Sequence, residues 1–304
     1  MPAFPYPNYT LVTRADADAL YAYLRSLAPV AQPNRPHALR FPYGTQAALA
    51  AWRLLYFEPR TFAPDPGRAA EWNRGAYLVQ GLGHCNACHA ARNALSATSG
   101  PLDLGGGLIP VQNWYAPSLA APHEAGVQRW DTAQVERLLR SGVAEGASAL
   151  GPMGEVVAGS TRFLDDADLR AVAAYLRALP ADAETKVLPP PRAESRVLDH
   201  GATLYDRHCA ACHGEHGEGV ADAYPRLAGN RAVLLDTPAN LVHAVLEGGF
   251  LPATPGNPRP FGMPPFAPLL NDDDIAAVLS FVRASWGNRA APVSPYDVQR
   301  FRAR

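Results

Sequence analysis

Cys85-Asn86-Ala87-Cys88-His89 is a Cys-x-x-Cys-His pentapeptide, and Cys209-Ala210-Ala211-Cys212-His213 repeats the pattern farther along the chain. Together the two copies use all 4 cysteines of the 304-residue sequence. Two thiols at this spacing can bond to the two vinyl groups of one porphyrin, and the adjacent histidine can then ligate the iron. Each pentapeptide therefore predicts a covalently bound haem c, held by Cys85, Cys88 and His89 or by Cys209, Cys212 and His213.

Zinc and disulfides are the alternatives for these cysteines. A zinc ribbon also uses paired Cys-x-x-Cys motifs, but its pairs usually lie within a few tens of residues of each other. These two pairs are separated by a much longer stretch of chain. A thioredoxin-type motif needs one redox pair in a β-α-β setting, without a histidine fixed after both copies.

Two methionines are candidates for a second ligand to the iron. The chain has 3 methionines, and Met153 and Met263 each follow one of the pentapeptides. Both lie among glycines and prolines, so we expect them in Gly/Pro-rich loops. Methionines that only fill a core usually lie on helix or strand faces, which favours a ligand role for these two.

Each of these methionines is followed by a helix with the same signature. Asp165 and Asn271 are predicted N-caps, each with an aspartate three positions later. Apolar residues then recur with helical spacing, and the helices end in Tyr175-Leu176-Arg177 and Phe281-Val282-Arg283. The repeat predicts a mainly α protein with two homologous haem domains and long Pro/Gly-rich loops.

A third copy of this closing helix lies at the start of the chain. Thr13 and Asp16 form its cap, and Tyr23-Leu24-Arg25 ends it. Met1 precedes Tyr23 by the same number of residues as Met153 precedes Tyr175. We expect a three-haem protein that lacks its first haem-attachment segment, so that the apolar stripe of this helix is exposed. The alternative is an N-terminal helix with a chance likeness.

Haem attachment also predicts where the protein works. Covalent attachment takes place outside the bacterial cytoplasm, which predicts a periplasmic protein, with attachment to the periplasmic face of the inner membrane as an open alternative. Residues 1–12 have neither the basic region nor the apolar core of a signal peptide. No run of eighteen apolar residues occurs either. The export signal is therefore expected to be absent from this chain.

Composition and repeats together suggest the domain boundaries. The 30 prolines, nearly twice the usual share of about 5%, suit small domains with ordered loops around a large prosthetic group. The net charge of −1 and the lack of a basic cluster argue against nucleic acid as a partner. A helix from Thr45 to Phe57 is expected to pack on a haem domain. The predicted segments are a remnant closing helix at 1–27, a connection at 28–70, haem domains at 71–180 and 197–290, a Pro-rich linker at 181–196 and a tail at 291–304.

Several stretches of the sequence resemble those of a known protein family. They are Trp72 to Leu78, Gly81 to Cys85, Gly151-Pro152-Met153 and Leu227 to Asn230. In combination they resemble the cytochrome c subunit of bacterial membrane-associated dehydrogenases. That family includes three-haem subunits that accompany quinoprotein alcohol dehydrogenases, flavoprotein gluconate or sorbitol dehydrogenases, and molybdenum hydroxylases.

The resemblance implies tandem class I cytochrome c domains, in which the first and last helices of each domain cross in front of the haem. It implies His/Met ligation of iron by His89 with Met153 and by His213 with Met263. Small residues such as Gly75 and Gly201 would let the crossing helices approach Tyr175 and Phe281. Arg92 and Trp114 are candidates for contacts with haem propionates. The family often has Thr-Pro-Arg-Asn after the first of these histidines, whereas this chain has Ala90-Ala91-Arg92-Asn93, so the stiffening proline is absent.

These ligands predict electron transfer rather than catalysis. An iron with histidine and methionine on its two faces has no open position for a substrate, and it passes single electrons. We expect a relay from a catalytic dehydrogenase subunit to ubiquinone, a terminal oxidase or another cytochrome. The alternative is a two-haem c-type peroxidase, which needs one haem open to peroxide. His84, His208 and His243 are other possible ligands, although bystander roles are favoured.

Overall fold

The protein is described by a computed structural model that covers residues 4–36, 38–98, 100, 102–181, 190–221 and 223–302. Its helices are α1 (Tyr6–Tyr9), α2 (Arg14–Ser26), α3 (Gln46–Tyr56), α4 (Ala70–Tyr77), α5 (Thr132–Ser141), α6 (Pro152–Gly159), α7 (Asp166–Arg177), α8 (Ser195–His208), α9 (Ala210–His213), α10 (Arg231–Leu234), α11 (Ala239–Glu247), α12 (Asp272–Ala284) and α13 (Pro295–Gln299). The strands form three short antiparallel pairs, β1 (Gly107–Leu108) with β2 (Tyr115–Ala116), β3 (Val143–Ala144) with β4 (Ala147–Ser148), and β5 (Gly249–Phe250) with β6 (Gly262–Met263). The mainly α fold class is confirmed.

Two hydrophobic cores organise the chain. One is built around Leu169 and Val135, and we call residues 70–179 the middle unit. The other is built around Ile275 and Val242, and we call residues 195–302 the C-terminal unit. Part of the predicted Pro-rich linker, residues 182–189, lies outside the described residues.

In each unit the first and last long helices cross at a glycine. A Cβ atom placed on Gly75 of α4 would lie 1.9 Å from the carbonyl oxygen of Ala171 in α7. A Cβ atom on Gly201 of α8 would lie 2.2 Å from the carbonyl oxygen of Ala277 in α12. No side chain fits at either crossing, since backbone meets backbone there. The predicted role of the two glycines is confirmed.

The repeated helix signature folds as the sequence predicts. The side chains of Thr13, Asp165 and Asn271 each accept a hydrogen bond from the backbone N–H three residues later, and so begin α2, α7 and α12. At Asn271 the cap is reciprocal, because the side chain of Asp274 accepts from the Asn271 N–H. The three helices are thus local copies, although only α7 and α12 lie in a core.

The N-terminal segment attaches to the middle unit through its first residues. Asn8, which is 3% exposed, donates to the carbonyl oxygen of Gln80 at 2.7 Å and to Oδ1 of Asn86 at 2.6 Å. Beyond this anchor the apolar side chains of α2 are open to solvent, with Tyr23 and Leu24 each 62% exposed. The expected exposure of this stripe is confirmed.

The helix predicted between Thr45 and Phe57 is present as α3, but its packing differs from the expectation. Trp52 reaches the middle unit, where its Nε1 donates to the carbonyl oxygen of Leu95 at 2.9 Å. Leu55 is 67% exposed, and α3 has no buried residue. The expectation that this stripe packs on a haem domain is therefore wrong for Leu55, which lies open to solvent, whereas Trp52 does contact the middle unit.

The last residues belong to the C-terminal unit. Helix α13 packs on α12, with Val298 fully buried between them. Arg302 donates to the carbonyl oxygens of Ala267 and Leu270 and pairs with Asp272. Across the part of the chain that the structure describes, no helix is both long and apolar enough to cross a membrane.

Candidate haem-binding sites

The two pentapeptides adopt similar helical turns. Cys85–Ala87 forms a 3-10 turn after a π-helical turn, Leu78–Leu82, that continues α4. The second pentapeptide leads from the end of α8 into α9. In both, the histidine N–H donates to the carbonyl oxygen of the first cysteine at 2.9 Å, from His89 to Cys85 and from His213 to Cys209. One helical turn therefore places both cysteines of each pair on the same side.

Each histidine ring is fixed by a carbonyl from a distant loop. Nδ1 of His89 lies 2.7 Å from the carbonyl oxygen of Pro117, and Nδ1 of His213 lies 2.9 Å from that of Pro225. A carbonyl oxygen only accepts, so Nδ1 carries the proton and Nε2 keeps its lone pair. Burial also lowers the pKa of both histidines, which favours the neutral ring. A neutral imidazole oriented through Nδ1 is the form that ligates a metal through Nε2.

A glycine lies close to each of these two proline carbonyl groups. The Gly106 N–H donates to the carbonyl oxygen of His89 at 2.9 Å, and the Gly219 N–H donates to that of His213 at 2.8 Å. Both have positive φ, +79° and +66°. A Cβ atom would lie 3.0 Å from the carbonyl carbon of Pro117 or 2.8 Å from that of Pro225. The glycines let the proline loop come close enough to hold the histidine.

Burial makes the first cysteine thiol of each pentapeptide less acidic. Burial raises the pKa of Cys85 to about 12 and that of Cys209 to about 11. These thiols are uncharged at neutral pH, and all four cysteines are free of disulfides. Arg92 links the first pentapeptide to the loop that follows it. Its guanidinium donates to the carbonyl oxygens of Ala87 and Ser96.

The two methionines lie near these turns but not in loops. Met153 is the second residue of α6, and Met263 is the second residue of β6. The expectation of two loop methionines is therefore wrong. Pro152 begins a helix because its fixed φ suits the first helical turn, and the segment holding Met263 pairs with Gly249. Met153 packs against the same core as Cys85.

A cavity lined by residues of both units joins the predicted site residues of the C-terminal unit. The cavity has a volume of about 690 Å³, which lies within the range of roughly 300–1,000 Å³ typical of cofactor sites. Among the residues that line it are Cys209, Cys212, His213 and Met263. Two thiols, an oriented imidazole and a thioether around one cavity fit a covalently bound haem. The residues of the middle unit also fit a haem. The ring of His89 is oriented in the same way, and Cys85 and Met153 pack against the same hydrophobic core.

A zinc ribbon is not supported by the geometry. Such a site needs four ligands in one tetrahedron. The two cysteine pairs pack against different cores. Among the described residues, no group of three or more His, Cys, Asp or Glu side chains is arranged to hold a metal ion.

The other histidines that the sequence singled out have different surroundings. His84 stands at φ +37° next to the first cysteine, with its ring against Tyr9. His208 lines the C-terminal cavity. His243 is 5% exposed, hydrogen-bonded through Nδ1 to Glu247 at 3.0 Å and stacked on Trp114.

Sequence reasoning missed the residues that orient the two histidines. Neither the prolines Pro117 and Pro225 nor the glycines Gly106 and Gly219 were predicted to have this role. The signal is weak, since Gly219 is one of many glycines in the chain and Pro225 acts through its backbone. The recurrence of a glycine and then a proline after each pentapeptide is the clue that the sequence offers.

Comparison with known sequences places the chain in a family. A sequence profile described as "Cytochrome c" matches residues 73–180 and 198–286, one match in each unit. The chain belongs to the cytochrome c family, and its two units are cytochrome c domains.

Similar proteins define the branch of that family. The cytochrome c subunit of alcohol dehydrogenase (quinone) from Komagataeibacter europaeus is 38% identical over 99% of this chain and 68% of its own length. The gluconate 2-dehydrogenase cytochrome c subunit from Pantoea cypripedii is 36% identical over 99% of this chain and 72% of its own length. The fructose dehydrogenase cytochrome subunit from Gluconobacter japonicus is 33% identical over 99% of this chain and 67% of its own length. The resemblance to cytochrome c subunits of dehydrogenases is confirmed.

Proposed function

We propose that this chain is an electron-transfer subunit that binds two haem c groups. One is attached to Cys85 and Cys88 with His89 and Met153 as iron ligands. The other is attached to Cys209 and Cys212 with His213 and Met263 as ligands. The observation that carries the proposal is that Cys209, Cys212, His213 and Met263 line one cavity together.

The chain's own residues prepare each site for reversible one-electron chemistry, which a bound haem supplies. The carbonyls of Pro117 and Pro225 hold the imidazole protons on Nδ1 and so leave Nε2 free to ligate a haem iron. A methionine thioether from Met153 or Met263 would favour the reduced state of a bound haem.

The partners in this proposal follow from the similar proteins. A catalytic dehydrogenase subunit delivers electrons, and a quinone, a terminal oxidase or another cytochrome accepts them. The proposed location is the periplasm, because haem is attached covalently outside the cytoplasm. In this role the chain transfers electrons and does not itself convert a substrate.

The test is to export the full chain behind a borrowed signal peptide in a host that matures c-type cytochromes. Mass spectrometry counts the haems, and stopped-flow spectroscopy follows mixing with a ubiquinone analogue, with an oxidised soluble cytochrome c and with hydrogen peroxide. The proposal predicts two haems per chain, electron transfer to at least one of the two acceptors, and no turnover of peroxide. A chain that reduces peroxide catalytically would be a peroxidase, and a chain without haem would refute both functions.

A further inference from the structure

Trp114 of the middle unit lies at the boundary between the two haem sites. On one side its indole packs on Gly151, where a Cβ atom would lie 2.7 Å from Cε2 of the indole. Gly151 has φ +49° and begins the turn that places Met153 at the start of α6. The ring therefore touches the segment that carries the predicted methionine ligand of the middle site.

On its other side the same ring contacts the C-terminal unit. The indole stacks on the imidazole of His243 in α11, with ring centroids 5.0 Å apart and planes 17° from parallel. Parallel stacking at this distance is a favourable aromatic geometry. Trp114 also lines the cavity that contains His213 and Met263. One side chain thus reaches from the Met153 turn to the wall of the other haem site.

The position of this ring is fixed by the backbone beside it. The side chain of Asn240 accepts from the N–H of Tyr115 and donates to the carbonyl oxygen of Tyr115, both at 2.8 Å. This reciprocal pair ties the residue after Trp114 to α11, and Asn240 itself is 8% exposed. Breaking a hydrogen-bonded pair at a buried amide is costly, so this pair opposes sliding of the strand along the helix.

The neighbouring part of the boundary is also built from the middle unit. Leu150, Gly151 and Pro152 line the C-terminal cavity next to Trp114. The Met153 turn is therefore itself a wall of the second site. The two predicted haem sites share this wall, and Trp114 is the aromatic group that both sides of it contact.

We propose that Trp114 is a positioning residue for electron transfer between the two haem sites. This inference rests on the proposed function and deepens it. The indole holds the Met153 turn against α11 and supplies a π-system at the boundary that the electron crosses. In each event one electron leaves one site, which is oxidised, and reduces the other site, with no bond formed or broken.

The chain offers a matched control for this residue. Trp130 is also a middle-unit tryptophan that contacts the C-terminal unit, because the guanidinium of Arg231 lies 4.6 Å from its ring centroid. Trp130 is not among the residues that line the cavity of about 690 Å³. Replacing Trp130 therefore weakens contact between the same two units away from the shared wall.

The experiment compares Trp114→Leu, Trp114→Phe and Trp130→Leu in the haem-loaded full chain. A pulse of reductant delivers less than one electron per chain, and absorbance follows its redistribution between the haems. Midpoint potentials are measured by redox titration. In Trp114→Leu we expect redistribution to slow by about tenfold or more, because small displacements of reacting groups have large kinetic effects. Trp114→Phe should recover part of the rate, and Trp130→Leu should stay near wild type.

The outcomes separate the inference from the proposed function. Equal rates in Trp114→Leu and wild type, or equal slowing in Trp114→Leu and Trp130→Leu, would overturn the role of Trp114 while two low-spin haems remain. A changed potential that accounts for the slower rate would also overturn it. If Trp114→Leu does not fold, Trp114→Phe and Asn240→Ala, which frees the strand, take its place. Wild-type rates in both variants overturn the role of Trp114. Slower rates in both support it. Failure of the proposed function is recognised separately, by the absence of haem from the wild-type chain.

Discussion

The carbonyl oxygen of Pro225 accepts a hydrogen bond from Nδ1 of His213 at 2.9 Å. The same relationship joins His89 to Pro117 in the other unit. The histidine proposed as a haem ligand is thus oriented in each unit by a backbone group from a separate loop. In each unit a glycine with positive φ lets that loop approach the histidine. Substituting this glycine therefore tests how the histidine is oriented.

Gly219→Ala should disturb the orientation of His213. The new Cβ atom would lie 2.5 Å from the carbonyl oxygen of Tyr224 and 2.8 Å from the carbonyl carbon of Pro225, so the loop must move. We expect lower haem occupancy in the C-terminal unit and an altered ferric spectrum, measured against protein mass. Gly287→Ala is the matched control, because Gly287 also has positive φ, +87°, but no atom lies near its Cβ position. Equal effects of the two substitutions would show that backbone strain alone is responsible.

Gly75→Ala should destabilise the middle unit. The added methyl group meets the carbonyl oxygen of Ala171 where α4 and α7 cross, so the helices must separate. Overpacking of this kind costs about 1–3 kcal/mol. Denaturant unfolding of the haem-loaded protein measures the loss.

The control for Gly75 is Gly159 at the end of α6, where an added Cβ meets no atom within 4 Å. Gly159→Ala should be neutral or should stabilise the protein by up to about 1 kcal/mol. A neutral result for Gly75→Ala would contradict the close helix crossing.

Arg283 stabilises the C-terminal unit by satisfying backbone carbonyls. It is 1% exposed and donates to the carbonyl oxygens of Val233, Leu235 and Ala291. Burial lowers its pKa to about 10, so it remains charged at neutral pH. Arg283→Leu leaves these acceptors without a donor and should reduce the free energy of unfolding by roughly 2–4 kcal/mol.

Arg177 is the control for Arg283, because it holds the same position in the repeated helix ending. It is exposed and donates to Thr132 at 2.9 Å. Arg177→Leu should change the free energy of unfolding by less than about 1 kcal/mol. Similar losses in the two variants, measured by denaturant unfolding, would argue against a structural role specific to Arg283.

Docking of the N-terminal segment should weaken in acid. The Tyr77 hydroxyl donates to Asp16 at 2.5 Å, and this bond, with a second from Thr13, lowers the pKa of Asp16. A lowered folded-state pKa means that the stabilisation is present above the unfolded pKa of about 4 and is lost as the pH falls through the folded value. Hydrogen exchange in α1 and α2, corrected for its intrinsic pH dependence, should rise in that window.

Substitution of Asp16 should remove this pH dependence. Asp16→Asn cannot titrate, so exchange in α1 and α2 should no longer change in the acid window. Asp18→Asn, which alters a neighbouring aspartate paired with the exposed Arg14, should keep it. Unchanged pH dependence in Asp16→Asn would assign the effect to another group.

The sequence predicted those features that depend on local patterns. Helix caps at Asp165 and Asn271 use side chains close in sequence, and the crossings at Gly75 and Gly201 followed from a resemblance carried by short motifs. The position of Met153 was predicted less well, because Gly-Pro-Met-Gly is compatible with a loop or a helix start. The stacking of Trp114 on His243 joins residues of two units, and no local pattern signals such a contact.

In the proposed function, Met153 and Met263 complete the iron coordination at the two sites. The most direct test is the weak far-red absorbance of methionine-ligated ferric haem, recorded for wild type, Met153→Ala and Met263→Ala at equal haem content. We predict that each substitution removes part of the band and that the double substitution removes all of it. A band that persists in the double variant, or that is absent from the wild-type protein, would show that these methionines are not the ligands.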